Sequence, residues 1–181
     1  GELSLIPDKL ADLKNWCAWE VKEVKGKPRK VPIHPDGSMF STSRDTPYPL
    51  SAVKGVGSGV GLVLTGGVKV EGKHLIGFDC DACRDPLTGA LMPWADKLRA
   101  DHKNSYAEYT PSGQGIRLLT LVDELPDHEL HKVRSVDPAD NSTKRAEIET
   151  FGLGRACYIT VSGDVIPGSN LELESVPNLS H

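Results

Sequence analysis

The stretch that decides the fold is His74-Leu75-Ile76-Gly77-Phe78-Asp79-Cys80-Asp81, an apolar run that ends in two acids. Its composition predicts a buried β-strand. Because side chains alternate along a strand, we expect Asp79 and Asp81 on one face, with Phe78 and Cys80 pointing into the core. Two carboxylates on one face repel each other, and a divalent cation would relieve that repulsion. Taken alone, the pattern fits a polar strand end better than a metal site.

The composition is that of a globular protein with one domain, or one domain with two lobes. Of the 181 residues, 38% are hydrophobic and 25% are charged, and the formal net charge is −4. That charge argues against a protein that coats nucleic acid, although a local basic groove remains compatible with it. No stretch of the sequence resembles a secretory signal or a membrane span. We therefore expect a cytoplasmic protein that has free thiols and does not enter a membrane.

The order of the expected elements favours an α+β fold. A short helix over residues 6–13 and an aromatic-rich strand over 15–21 come first, and a proline-rich loop leads to a strand over 60–65. After the central strand we expect a helix over 92–102, strands over 106–109, 116–122, 146–151 and 156–161, and a weak helix or loop over 126–134. This order predicts a mixed sheet with a helix on one face.

Three further patterns approach ligand-binding motifs without matching them. Residues 55–61 are glycine-rich, but they lack the G-x-G-x-x-G spacing and lead into a strand, which excludes a Rossmann site. Residues 67–74 have P-loop spacing, but His74 stands where Ser or Thr is needed, so a hairpin is favoured. Cys80 and Cys83 have the spacing of zinc ligands, but the sequence contains no second pair, so zinc is disfavoured.

Two stretches could complete a site with the aspartates. Residues 112–117 read Ser-Gly-Gln-Gly-Ile-Arg, in which two glycines allow close approach of a ligand and successive N–H groups could form an anion nest. Arg117 adds a guanidinium suited to phosphate oxygens, although a plain hairpin is the commoner explanation. Glu147 and Glu149 share one face of the strand over 146–151, and a third carboxylate would complete a two-metal site.

Five basic residues crowd the turn around Gly26, between residues 22 and 30. A solvated turn is the simpler interpretation of this charge. The functional interpretation is a lip that receives phosphates or a template backbone.

Taken together, these motifs resemble those of a known family. The stretches are Ile76-Gly77-Phe78-Asp79-Cys80-Asp81, Tyr109-Thr110-Pro111-Ser112-Gly113-Gln114-Gly115-Ile116-Arg117, and Glu147-Ile148-Glu149-Thr150-Phe151-Gly152-Leu153-Gly154-Arg155 with Thr160-Val161-Ser162-Gly163. In order and spacing they are similar to the three motifs of the archaeo-eukaryotic primase superfamily, most of all to the primase-polymerase domains of phages and plasmids. Trp16-Cys17-Ala18-Trp19, residues 26–32 and Ser41-Thr42 agree, so the resemblance covers about residues 15–165.

The resemblance implies an RNA-recognition-motif-like (RRM-like) catalytic core over about residues 66–168. A small N-terminal α/β lobe over about 1–65 would precede it, and a tail over 169–181 would follow. It also implies that Asp79 and Asp81 bind two Mg²⁺ or Mn²⁺ ions and act in catalysis together with the acid of the third motif. Glu149 is the expected third acid, because an aromatic residue follows it by two positions, and Glu147 is the alternative.

The resemblance also assigns residues to the incoming nucleotide. Those expected to grip its triphosphate are Ser112, Gly113, Gly115 and Arg117, with Arg155 and Lys30 as further contacts to triphosphate or template. Many family members have His where this chain has Arg117. An arginine can hold phosphate but is a poor proton donor.

The implied activity is template-dependent nucleotidyl transfer by a DNA primase and polymerase in phage or plasmid replication. The implied partners are a single-stranded DNA template with its primer, nucleoside triphosphates, and a helicase domain in the same full-length chain, in a bacterial or archaeal cytoplasm. Two alternatives remain open. One is a degenerate module of the same fold that binds nucleotide or single-stranded DNA without chemistry, and the other is a metal-dependent nuclease that uses the same acids.

Overall fold

Two β-sheets packed against each other make up most of the fold, which we describe from a computed structural model. It describes residues 3–125, 132–134 as backbone, 147–173 and 175–177. The strands are β1 (Trp16–Val24), β2 (Lys27–Ile33), β3 (Gly59–Val63), β4 (Lys69–Val70), β5 (Lys73–Asp81), β6 (Tyr106–Tyr109), β7 (Ile116–Val122), β8 (Lys132–Arg134), β9 (Glu147–Phe151), β10 (Tyr158–Val161) and β11 (Ser175–Val176). The helices are a 3₁₀ turn (Leu3–Leu5), α1 (Asp8–Ala11), α2 (Leu50–Val53) and α3 (Pro93–Asp101).

The first sheet is antiparallel throughout and has the strand order β10-β3-β1-β2. The second sheet has the order β11-β7-β5-β9-β8, and β4 and β6 add to it by pairing with β5 and β7. All described pairs of the second sheet are antiparallel except β11 with β7, which makes this sheet mixed. The expected α+β class is confirmed.

Apolar side chains fill both faces of the second sheet. Leu75 of β5 and Leu119 of β7 pack against Leu62 and Ile159 of the first sheet. On the opposite face, Ile76 and Phe78 pack with Ala95 and Leu98 of α3. A strand that is covered on both faces reads as a continuous apolar run, and for this reason all seven residues of β7 are buried.

Gly77 brings the two sheets close together beside the aspartates. A Cβ at this position would lie 2.6 Å from Cδ1 of Ile159 on β10. A larger residue would require the ends of the Ile159 and Leu119 side chains to shift within the packed core. Gly77 precedes Asp79 by two residues and shares its face of β5. The face of β5 that carries Asp79 is therefore the one that packs against the first sheet.

Most expected elements are present, and the differences have local causes. The helix expected over residues 6–13 is reduced to α1, and Pro7 is extended directly before it, with φ −56° and ψ 139°. The prediction of a weak helix or loop over residues 126–134 is wrong for residues 132–134, which form β8 and pair with β9. Residues 126–131 lie outside the described residues.

The boundary expected near residue 65, between an N-terminal lobe and the core, coincides only in part with the division into two sheets. Strands β1, β2 and β3 precede it, but β10 joins their sheet from the C-terminal side. Within the segment expected as a tail, Leu173 is buried and β11 pairs with β7. No helix in the described part of the chain is long and apolar enough to cross a membrane.

Candidate active site

Four carboxylate side chains lie on one face of the second sheet, where β5 pairs with β9. The register places Asp79 opposite Glu149 and Asp81 opposite Glu147. Residues directly opposite each other in an antiparallel pair lie on the same face, and so do residues two apart in one strand. All four side chains are half-buried. The structure thus brings together the acids singled out in the sequence, and Glu147 and Glu149 both have an aspartate directly opposite.

Basic residues occupy the neighbouring strands on both sides of these acids. On one side Arg117 of β7 lies opposite Asp79. On the other side the backbone register of β8 places Lys132 opposite Glu149 and Arg134 opposite Glu147. Like charges directly opposite each other destabilise a sheet. The ion pair between Arg117 and Asp79 offsets part of this repulsion.

Arg117 connects the acidic block to the first sheet. Its Nη2 donates to Oδ1 of Asp79 at 3.1 Å, and its Nη1 donates to Oε1 of Glu108 at 3.3 Å and to the carbonyl of Thr160 on β10. The side chain is 4% exposed. Three protein acceptors already hold this guanidinium, so its contact with a triphosphate stays a prediction. The observed contacts support a different role, which is to fix the orientation of the Asp79 carboxylate.

Glu108 is a functional candidate that the sequence pattern did not reveal. This carboxylate is 0% exposed. Besides Arg117, it accepts hydrogen bonds from the Tyr106 hydroxyl at 2.8 Å, the Ser162 N–H at 2.8 Å and the Gly163 N–H at 3.0 Å. Burial, with the Glu108 charge as the second cause, raises the pKa of Tyr106, so its hydroxyl remains a donor. The carboxylate is thus fully engaged in holding Arg117 and the turn after β10.

The glycine turn between β6 and β7 is closed by its own hydrogen bonds. The N–H of Gly113 donates to the Thr110 carbonyl at 2.9 Å, and that of Gln114 lies 3.3 Å from the Ser112 hydroxyl. These two N–H groups are therefore engaged within the turn, whereas the anion nest expected from the sequence would point them at a ligand. The turn therefore matches a plain hairpin, which is the commoner explanation of its sequence.

Arg84, in the loop after β5, holds the glycine turn in place. The sequence pattern did not indicate this role either. Its Nη1 donates to the Gly113 carbonyl at 2.8 Å, and its guanidinium carbon lies 4.2 Å from the centroid of the Tyr109 ring. The N–H groups of Cys83 and Arg84 both donate to the Gln114 carbonyl. The turn is consequently held against the loop that follows Asp81.

Gly115→Ala is expected to lower the free energy of unfolding by about 1–3 kcal/mol, the usual cost of overpacking. A Cβ at this position would lie 2.4 Å from the Cys80 carbonyl and 3.0 Å from Oγ1 of Thr110, so the turn would have to move away from β5. Urea denaturation followed by circular dichroism measures the change. Gln114→Ala, at the exposed neighbouring position, is the control and should stay near the wild-type value. An unchanged unfolding midpoint for Gly115→Ala would contradict the expected clash.

A cavity of about 490 Å³ lies between the two sheets at this end of the molecule. Its walls are the loop over residues 55–60, the glycine turn with Ser112 and Gly113, and residues 161–164 after β10. Its volume is within the range of small-molecule sites. Ser162 links the cavity to the acids, because its N–H binds Glu108, which holds Arg117. Among the described residues that line it, Asp164 is the single charged one.

The two remaining candidates for nucleotide binding occupy different places. Arg155 is exposed and lines a smaller cavity of about 100 Å³ together with Glu149. Lys30 is exposed on β2 of the first sheet, where its ammonium lies 5.5 Å from the centroid of the Trp19 ring. Arg155 thus lines a cavity with a residue of the acidic block, whereas Lys30 lies on the face of the first sheet that points away from the second sheet.

The acidic block has the donor chemistry of a hard divalent cation, since Mg²⁺ and Mn²⁺ prefer carboxylate oxygens. Within residues 3–125, 147–173 and 175–177, however, no three His, Cys, Asp or Glu side chains are placed to hold one ion together. The oxygens fit the ions by type, while their present positions do not converge. Metal binding therefore stays a prediction.

Cys80 and Cys83 are buried next to the acids. Burial raises the pKa of Cys83 to about 11 and the pKa of Cys80 well above its ordinary value. The Cys83 thiol donates to the Cys80 carbonyl at 3.4 Å. Both side chains pack in the core beside Phe78 and Ile116.

No protein-family model and no curated protein sequence matches this chain. The resemblance to primases therefore rests on the order and spacing of its motifs.

Proposed function

We propose that this chain is a template-dependent nucleotidyltransferase, a primase-polymerase domain of the archaeo-eukaryotic primase superfamily. The observation that carries the proposal is the register of β5 and β9, which sets Asp79 and Asp81 opposite Glu149 and Glu147 on one face of the sheet. Asp79 and Glu149 lie seventy residues apart in the sequence, and the fold makes them direct neighbours.

The arrangement of the second sheet supports an RRM-like core. In that βαββαβ fold the first strand lies between the third and the fourth, and the second strand pairs with the third. Strands β5, β6, β7 and β9 follow this pattern, because β5 lies between β7 and β9, and β6 pairs with β7. Helix α3 follows β5 and covers one face of the sheet, as the first helix of that fold does.

In the proposed reaction, Asp79, Asp81 and Glu149 hold two Mg²⁺ or Mn²⁺ ions, with Glu147 as the alternative third acid. The ions supply activation of the primer 3′ hydroxyl and stabilisation of the leaving pyrophosphate. The 3′ hydroxyl loses its proton to solvent, its oxygen forms a bond to the α-phosphorus, the bond from that phosphorus to the bridging oxygen of the β-phosphate breaks, and pyrophosphate leaves. Arg117 holds one carboxylate oxygen of Asp79, so that the other oxygen can face a cation.

The remaining candidates surround the nucleotide in this proposal. Arg155 lies close enough to Glu149 to contact the triphosphate. Ser112, Gly113 and the cavity beside them would receive the nucleoside, which is uncharged and is compatible with the few charges in that cavity. The implied setting is phage or plasmid replication in a bacterial or archaeal cytoplasm, with a helicase domain in the same full-length chain.

The degenerate binding module is the second candidate, and two observations favour it. Three protein acceptors already bind the Nη1 and Nη2 groups of Arg117, and the described acids do not converge on one ion. Such a module would bind single-stranded DNA or nucleotide and leave both unchanged.

A primer-extension assay separates these functions. A labelled primer on a single-stranded template is incubated with Mg²⁺ or Mn²⁺ and either ribonucleoside or deoxyribonucleoside triphosphates, with EDTA as the control. We expect longer products that depend on both metal and template. Nucleotide binding without any extension would support the degenerate module instead. Shortened fragments formed without added nucleotides would support the nuclease.

A further inference from the structure

A two-stranded ribbon projects from the edge of the first sheet. Strands β1 and β2 pair from Ala18 with Ile33 to Val24 with Lys27, whereas β3 pairs with β1 over residues 16–19. In the described residues, the ladder beyond Trp19 therefore continues with β2 alone. From residue 21 to residue 30 every position is exposed except Lys22, which is half-buried. An isolated two-stranded ribbon is only marginally stable in water. Because its side chains are exposed, packing in the core does not account for the residues of this ribbon.

The ribbon carries a charge opposite to that of the whole chain. Residues 20–30 contain five basic side chains (Lys22, Lys25, Lys27, Arg29, Lys30) and two acidic ones (Glu20, Glu23), a net charge of +3 in a chain of net charge −4. Lys22 lies 4.0 Å from Glu20, but exposed pairs of this kind contribute little. Concentrated positive charge on an extended element creates a local field that attracts polyanions.

The ribbon stands at the same end of the molecule as the candidate site. Trp19 and Gly59 pair at its base, and both residues line the cavity of about 490 Å³. Ala18 and Ile33 begin the face that packs between the two sheets. Alternation along the strands puts Lys22 and its partner Arg29 on that same face, together with Lys27. These three cations thus project from the side of the ribbon that faces the second sheet.

Exposed apolar side chains lie between the basic ones. Val21 is 52% exposed and pairs with Lys30, and Val24 is 42% exposed and pairs with Lys27. Surfaces that bind single strands combine cations, which contact phosphates, with apolar groups, which contact bases and sugars. The backbone of a duplex offers phosphates alone to such a surface.

We infer that the β1–β2 ribbon binds the backbone of single-stranded nucleic acid and guides it toward the cleft between the sheets. Lys22, Lys27 and Arg29 contact phosphates, while Val24, on the same face of the ribbon, contacts an unstacked base or sugar. The identification of this strand as a template rests on the proposed function. The affinity of the ribbon for single strands does not depend on catalysis.

Fluorescence anisotropy with labelled dT20 and rU20, at a series of NaCl concentrations, tests the inference. The variant is Lys27→Ala/Arg29→Ala, and the control is Lys69→Ala/Lys103→Ala, which removes the same charge from exposed positions elsewhere. For the ribbon variant we expect about tenfold weaker binding near 0.1 M salt. Its slope of log K against log[NaCl] should fall by about 1.4, because each lost phosphate contact contributes about 0.7 for single strands. The control should keep the wild-type affinity and slope.

The other outcomes of this experiment either overturn the inference or separate it from the proposed function. Equal losses in both variants would reduce the effect to net charge and overturn the inference, as would wild-type affinity of the ribbon variant. Tighter binding of a 20-bp duplex than of dT20 would overturn the preference for single strands. If the wild type extends no primer but the ribbon variant still loses affinity for dT20, the inference stands and the proposed function fails. Thermal unfolding by circular dichroism confirms that each variant is folded.

Discussion

Asp81→Ala is expected to reduce primer extension by about a thousandfold or more, while the domain stays folded. A metal ion contributes several kcal/mol to the transition state of phosphoryl transfer, and about 4 kcal/mol corresponds to a factor of a thousand in rate. Asp81 lies opposite Glu147 at the edge of the acidic block. Removing one of four clustered carboxylates also relieves repulsion, which favours a folded variant.

Asp79→Ala should have the same effect on extension, but with some loss of stability. Asp79 is an acceptor of Arg117, and without it the guanidinium keeps Glu108 and the Thr160 carbonyl. Comparing the two aspartate variants separates the loss of a metal ligand from the loss of an ion pair. Primer extension at saturating nucleotide measures activity, and urea denaturation measures stability.

Variants of the two glutamates decide which of them is the third acid. Glu149→Ala is expected to match the aspartate variants, because Glu149 lies directly opposite Asp79 and lines a cavity with Arg155. Glu147→Ala should keep more activity. The control is Asp123→Ala, an exposed acid at the far end of β7 that pairs with Lys73. Extension at the wild-type level by Asp79→Ala or Asp81→Ala would refute the proposed role of the acidic block.

The sequence predicts those parts of the fold that depend on local periodicity. The run that became β5 is apolar and ends in two acids at alternate positions, so its burial and the shared face of Asp79 and Asp81 follow from strand geometry. The same holds for β7 and for α3, where Pro93 begins the helix and Ala95 and Leu98 face the sheet. The register between β5 and β9 depends on contacts across some seventy residues of sequence, and no local pattern encodes it.

The hydrogen bonds within the site could not be predicted from the sequence either, because they depend on how the chain is arranged in the fold. A glycine turn has the same composition whether its N–H groups face a ligand or close the turn, and here those of Gly113 and Gln114 close it. Glu108 is a charged residue in a strand of only four residues, and charged residues are rarely buried unless they are paired. Its burial depends on Arg117 of the next strand and on the Ser162 N–H, fifty-four residues further along the chain.

Glu108→Ala is expected to lower the free energy of unfolding by about 3–5 kcal/mol, the cost of breaking a buried ion pair from one side. The substitution leaves the Arg117 guanidinium without its buried counter-ion and removes the acceptor of the Ser162 and Gly163 N–H groups. Buried donors without partners add to this cost. Small domains are stable by only about 5–15 kcal/mol, so the variant would lose a large share of its stability.

Because Glu108→Ala could fail to fold, Glu108→Gln provides the second measurement. The amide keeps the shape of the side chain and one acceptor oxygen, but it loses the negative charge and turns an N–H₂ group toward the donors around it. We expect a loss smaller than that of Glu108→Ala and clearly larger than that of Glu124→Ala, an exposed control that should stay within about 0.5 kcal/mol of the wild type. Urea denaturation at fixed pH measures all three variants. If Glu108→Gln unfolds at the wild-type urea concentration, the buried contacts of Glu108 do not hold Arg117 in place, and the positioning of Asp79 must have another origin.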